Sequence, residues 1–223
     1  MPGHGRIPAC PEKTVAKMLK FFQSPDSCAR AVHIALEEAG AAYENVRMSL
    51  PEGDQRKPDY LAINPKGRVP ALVTEKGVLT ETPAILVYIA QLFPHSPIAL
   101  PSDPFTLAEI LSFNSYIVAT LHVAHAHKLR GSRWADDPAA IAEMRRKVPE
   151  SVGACFELIE TRLFRGPWVM GDIFSIVDPY LLVFSEWMEG DGVDPTRFPK
   201  VSAHRERMRD RPSVQRVNAM REG

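Results

Sequence analysis

Asn64-Pro65-Lys66-Gly67-Arg68-Val69-Pro70 runs directly into the apolar segment Ala71-Leu72-Val73, and Glu81-Thr82-Pro83-Ala84-Ile85 follows after a short hairpin signal. Proline has no N–H and cannot extend a ladder inward, so Pro70 marks where the strand must begin. A cis bond at Val69-Pro70 turns the Val69 N–H and C=O outward, free to pair with an extended peptide as an added strand. Glu81 and Thr82 open a helix and so bring a carboxylate, a hydroxyl and unpaired N–H groups together. The carboxylate suits an ammonium group, and the hydroxyl and N–H groups suit a carboxylate. The expected ligand of such a site is a small zwitterionic peptide.

The rest of the pattern predicts a small α/β unit followed by helices. Residues 19–22 form a short strand-type run, residues 27–39 carry helical spacing with Gly40 as the stop, and residues 43–48 read as a second strand. A short irregular helix is expected over 57–63, a hairpin over 71–74 and 78–80 around Gly77, and a strong helix over 82–93. Pro94, Pro97, Pro101 and Pro104 make 94–103 the linker. Asp103-Pro104 and Asp137-Pro138 are cap-plus-proline starts for helices to about 128 and 164, and Pro149 is expected to kink or split the second. Two further helices are expected over 175–187 and 201–211. Residues 1–17 lack periodicity and read as a disordered leader, with Met18 as an alternative start.

Composition excludes several classes. Lys+Arg and Asp+Glu are both 27, and no long basic run occurs, so nucleic-acid binding has no support. No apolar stretch is expected to reach membrane-spanning length, and the N-terminus has no secretory apolar core. Three widely spaced cysteines do not make a disulfide framework, and a reducing cytoplasm fits best.

Three blocks in order resemble the glutathione transferase family, most of all its bacterial beta class. The first is Leu19-Lys20-Phe21-Phe22-Gln23-Ser24-Pro25-Asp26-Ser27-Cys28 with the helix after it; the second is the 64–85 region; the third is Gly171-Asp172-Ile173-Phe174-Ser175-Ile176-Val177-Asp178-Pro179-Tyr180, similar to the family's capping motif. The resemblance implies a thioredoxin-like, glutathione-binding domain over 18–93 with a mixed four-stranded sheet, and an all-helical domain over 104–223 that forms the electrophile site. It also implies glutathione as co-substrate, no metal, and a homodimer made through the helix from Thr82 and the first helices of the second domain. Glutathione would lie along Val69 and Pro70, with its γ-glutamyl end at Glu81 and Thr82 and its thiol toward Cys28 and Ser27.

Cys28 is expected at a helix start, where free N–H groups and the helix dipole lower a thiol pKa. The chain departs from the beta class at Phe22-Gln23, where that class carries a tyrosine, so Ser27 and Ser24 remain rival donors to a thiolate. His122 follows Tyr116-Ile117 and Leu121 at the place of the family's cleft histidine, as a hydrogen-bond donor or a helper base. His122, His125 and His127 do not read as a metal site, since only two share a face and no acid lies beside them in sequence. His33 reads as packed, Ser175 to Asp178 as a capping box, Arg145-Arg146-Lys147 as a solvated face, and Tyr116, Trp134 and Trp187 as pocket or core aromatics. The leading expectation is conjugation of the glutathione thiolate to small apolar electrophiles. The alternatives are thiol–disulfide exchange through Cys28 and a non-catalytic binding protein.

Overall fold

The computed structural model describes residues 19–222; the expected leader over 1–17, Cys10 within it and the alternative start Met18 lie outside the described residues. β1 (Leu19–Gln23) pairs in parallel with β2 (Tyr43–Arg47) across α1 (Ala29–Glu38), a βαβ unit. α2 (Pro58–Ile63) leads to the antiparallel hairpin of β3 (Ala71–Thr74) and β4 (Gly77–Thr80), whose turn is Glu75-Lys76. β3 docks antiparallel on β1, which gives a four-stranded mixed sheet in the order β2-β1-β3-β4. α3 (Thr82–Leu92) closes the unit.

Adjacent residues of β1 feed two cores. Phe21 packs with the apolar faces of α1 and α3, including Ile34, Leu36, Ile85 and Ile89; Phe22 packs on the other sheet face with Met48, Tyr60 and Ala71. A strand buried on both faces reads as a run rather than an alternation, and Phe21-Phe22 does so, while Lys20 reaches the surface to pair with Glu44 of β2.

The second part is helical: α4 (Pro104–Tyr116), α5 (His122–Arg130), α6 (Pro138–Leu158), α7 (Val177–Trp187), α8 (Pro199–Arg209) and α9 (Pro212–Glu222). The Asp103 and Asp137 side chains accept from Thr106 N and Ala139 N at 2.8 and 3.0 Å, the two caps read from the sequence. A π-turn over Ile117–Leu121 joins α4 to α5. Pro149 does not split α6, which runs through it unbroken. The continuous helix Pro104–Arg133 is long and apolar enough to cross a membrane by length and composition alone, which corrects the expectation that no stretch reaches that size. Here α4 packs on α7 and α5 on α6.

α9 has no counterpart in the sequence reading. Arg211-Pro212 reads as a helix end, yet Pro212 opens a new helix at the position where a missing N–H costs nothing. Arg211 holds Glu38 at 2.5 and 2.7 Å and Arg216 holds Glu37 at 2.6 Å, so α9 is fastened along α1. Buried Arg30 of α1 ties both Glu186 of α7 and Asn218 of α9 to the first unit.

The capping box is half formed as expected. Asp178 reaches back to Ser175 N at 2.7 Å, but the Ser175 hydroxyl turns to that carboxylate at 3.3 Å rather than to an N–H.

Candidate functional site

A cleft of about 720 Å³ opens between the 64–70 loop, the β1–α1 turn and the start of α3 on one side, and α5 and α7 on the other. Ser27, Cys28, Val69, Pro70, Glu81, Thr82 and His122 all line it. Ser24 does not.

The 64–70 loop is shaped from within. The Asn64 side chain donates to Arg68 O at 2.7 Å and accepts from Lys66 N at 3.2 Å, and the Tyr60 hydroxyl donates to Arg68 O at 2.6 Å. Gly67 sits at φ +57°, and a Cβ there would fall 2.9 Å from Arg56 Nη1 and 3.1 Å from Gln55 O, so no side chain fits. Val69-Pro70 is cis, as expected from the sequence. The ladders begin at Ala71, and no hydrogen bond among the described residues uses the Val69 backbone.

Glu81 precedes α3 at φ 74°, the one non-glycine residue with positive φ among the described residues. Strain of this kind persists where surrounding structure enforces it, commonly at ligand sites. Its carboxylate is half exposed and meets Lys66 Nζ at 2.6 Å. Thr82 and Ala84 carry first-turn N–H groups with no intrahelical acceptor, and Pro83 between them has none to satisfy. The Thr82 hydroxyl donates to Cys28 Sγ at 3.5 Å, which joins the helix start to the thiol.

Cys28 caps α1, but its thiol is not acidic. Burial pushes it above the ordinary thiol value, and Glu81 adds to the rise; the Thr82 hydroxyl and the Arg130 charge oppose it only in part. The sequence expectation of a lowered pKa fails because dehydration of the thiol outweighs the helix start. In the native protein, the rate of Cys28 carboxamidomethylation should therefore still be rising as pH passes the free-thiol pKa of about 8.5, with its inflection above that value. Peptide mapping across a pH series measures this, and an inflection below that value would restore the acidic-thiol reading.

Ser27 donates its hydroxyl to Ser24 O at 2.7 Å and accepts from Ala29 N at 3.2 Å. Its one proton is committed to the turn that starts α1, which disfavours it as a donor to a second sulfur. His33 is packed, as expected, with Tyr43 at 2.9 Å, and burial lowers it to about 4.

His122 lies beside Phe184 and Trp187, and burial followed by the charges of His125, Arg130, Arg133 and Arg68 lowers it to about 4. It is neutral near pH 7. A base that weak takes a proton from a thiol poorly, which favours the donor role over the helper-base role. His125 stacks on Trp187 at 4.3 Å and meets Asp191 at 2.6 Å, an acid supplied by the turn after α7 that the sequence spacing hid. His127 turns against Trp134. His122 and His125 share the Phe184–Trp187 wall while His127 faces Trp134, and no metal-holding group occurs among the described residues.

Two features of the cleft escaped the sequence reading. Tyr180 of α7 lines it with a fully buried hydroxyl that has no partner among the described residues. Arg56, Arg68, Arg130 and Arg133 also line it. Arg68 stands inside the leading motif, but a loop arginine reads as surface until the opposite wall is known.

Residues 17–91 match the family described as Glutathione S-transferase, N-terminal domain. The structure of a glutathione transferase homologue from Sulfitobacter, solved with bound glutathione, is 45% identical, with 91% of this chain and 98% of that chain covered and a TM-score of 0.88. This chain belongs to the glutathione S-transferase family. A bacterial beta class glutathione S-transferase of Sphingomonas chungbukensis superposes with a TM-score of 0.79 at 31% identity, covering 91% of this chain and 98% of that one. Glutathione S-transferase GstA of Escherichia coli O157:H7 is 28% identical over 200 residues, 88% of this chain and 96% of its own. The thioredoxin-like sheet with its helical partner is the architecture that the resemblance implied.

Proposed function

We propose that this chain conjugates the glutathione thiolate to small, largely apolar electrophiles in the cytoplasm, as a homodimer. The observation that carries the reading is the unused Val69 backbone beside the free start of α3, with Cys28 at 3.5 Å from Thr82 in the same cleft. Residues 18–93 would hold glutathione and 104–223 the electrophile, with 94–103 between them. The tripeptide backbone would pair with Val69. Its ammonium would take the Glu81 carboxylate from Lys66, and its γ-glutamyl carboxylate would meet the N–H groups of Thr82 and Ala84.

The chemistry needs a glutathione thiolate at neutral pH. Cys28, kept protonated by burial, offers an S–H toward that sulfur, and neutral His122 offers an N–H. Val118, Ala126, Leu129 and Trp187 supply an apolar wall for the acceptor. Protonated Cys28 disfavours the exchange alternative, which needs the cysteine itself as thiolate. Exposed Leu92, Phe105 and Leu111 lie on α3 and α4, the helices expected at the dimer contact.

The test is retention on immobilised glutathione followed by turnover with a generic aromatic halide, for the native chain and Cys28→Ser. Retention with turnover in both supports conjugation. Disulfide exchange that vanishes in Cys28→Ser while conjugation is absent favours the redox alternative. Retention without turnover over several electrophiles favours the binding protein, and no retention overturns the glutathione site.

A further inference from the structure

The cleft holds more positive charge than glutathione can use. Arg56 and Arg68 enter it from the first unit, Arg130 from the end of α5 and Arg133 from the turn after it. Elsewhere Arg30, Arg165, Arg209, Arg211 and Arg216 each hold a carboxylate. None of the four cleft arginines has an ion pair or side-chain hydrogen bond among the described residues. The cleft's two acids do not neutralise them, because Glu81 pairs with Lys66 and Asp26 with Arg221.

The four charges converge. Arg130, Arg68 and Arg56 all depress Arg133, after burial, and Arg130, Arg133 and Arg68 all reach His122. Arg56, Arg68 and Arg133 are exposed and Arg130 half-buried, so solvent and salt screen their repulsion in part, and an anion bound among them relieves the rest. If the glutathione reading holds, and this inference rests on it, Glu81 takes the ammonium, the start of α3 takes one carboxylate, and the sulfur lies at Cys28. Only the glycyl carboxylate is left. One carboxylate engages one guanidinium bidentately, or two singly. Arg56 and Arg68 are on glutathione's side of the cleft; Arg130 and Arg133 are on the wall that carries His122, Leu129 and Trp134.

We propose that the electrophile is an acid: an apolar, unsaturated or aromatic body bearing a carboxylate, which Arg130 and Arg133 hold while the reactive carbon faces the glutathione sulfur. The planar guanidinium fork suits a carboxylate, and the apolar wall suits the body behind it. The acid group takes no part in bond making; it orients the acceptor.

The experiment compares 4-chloro-3-nitrobenzoate with its methyl ester, each kcat/KM divided by the rate of the uncatalysed reaction with glutathione. The acid should be favoured by about tenfold or more at low ionic strength, with the preference shrinking as salt screens it. Arg133→Gln should cut the acid-to-ester ratio by about tenfold, and Arg133→Lys, which keeps the charge but not the fork, should fall between. A ratio near one, or a ratio that Arg133→Gln leaves unchanged, overturns the proposal. Calorimetric titration of 3-nitrobenzoate into the full chain without glutathione separates this site from the parent reading. Binding that Arg133→Gln weakens about tenfold supports the acid site even where glutathione retention fails. Absent binding, or equal binding by a variant whose circular dichroism matches the native chain, overturns it.

Discussion

Asp178→Ala lowers the melting temperature by roughly 10 °C, the largest stability loss expected from a single substitution here. The Asp178 carboxylate is fully buried and accepts from Val169 N at 2.9 Å, Ser175 N at 2.7 Å and His204 Nε2 at 3.0 Å. Alanine leaves two buried N–H groups and a buried imidazole without an acceptor. Stranded buried polar groups cost about 1–3 kcal/mol each, and breaking a buried charged contact about 3–5 kcal/mol. The loss lands on the start of α7, the helix that carries Tyr180 and Trp187 into the cleft. Asp178→Asn keeps the shape and one acceptor oxygen, and should fall between. Differential scanning calorimetry reads both; a shift under about 2 °C for the alanine variant would mean that water or a rearranged backbone replaces the carboxylate.

Glu81→Gln raises the KM for glutathione by about tenfold while kcat stays within a small factor. A charge-assisted contact to an ammonium contributes about 1.5–3 kcal/mol when well shielded, and 1.4 kcal/mol corresponds to tenfold. The Glu81 side chain is 51% exposed, so the lower end applies. The ammonium is remote from the reacting sulfur, so the contact acts equally in ground and transition states and appears in KM alone. Glutamine keeps the size of the side chain, which matters at a residue held at φ 74°. Steady-state kinetics at varied glutathione decides the point. An unchanged KM would make Glu81 a partner of Lys66 and nothing more, and an equal fall in kcat would place it nearer the chemistry than the cleft allows.

The small α/β unit and the helices were legible because they rest on local chemistry, whereas the family and its thioredoxin-like fold came from the resemblance of three ordered blocks. Val69-Pro70 before an apolar run, Asp103-Pro104 and Asp137-Pro138 as helix starts, and the burial pattern of Phe21-Phe22 are all settled within a few residues. The same holds for Ser27, Cys28, Glu81 and Thr82 as turn and helix-start residues. Their meeting in one cleft depended on the resemblance, since nothing local brings His122 to Cys28.

What the sequence missed depends on the surroundings. Cys28 was read from its helix position as acidic, but the walls around it decide its protonation, and burial outweighs the dipole. His125 found an acid in Asp191, 66 residues away, which no helical spacing could disclose. α9 is held on α1 by tertiary contacts: Val214 and Val217 are buried, and Arg211 and Arg216 hold Glu38 and Glu37. Arg56 and Arg68 come from the first unit, and Arg130 and Arg133 from the end of α5 and the turn after it; they share one cleft only because the two walls face each other. The sequence by itself determined the elements up to α8 and the side chains that cap and turn them, through interactions of short range. Tertiary structure alone decided charge state and charge convergence, because dehydration and Coulomb fields depend on distance in space, not along the chain.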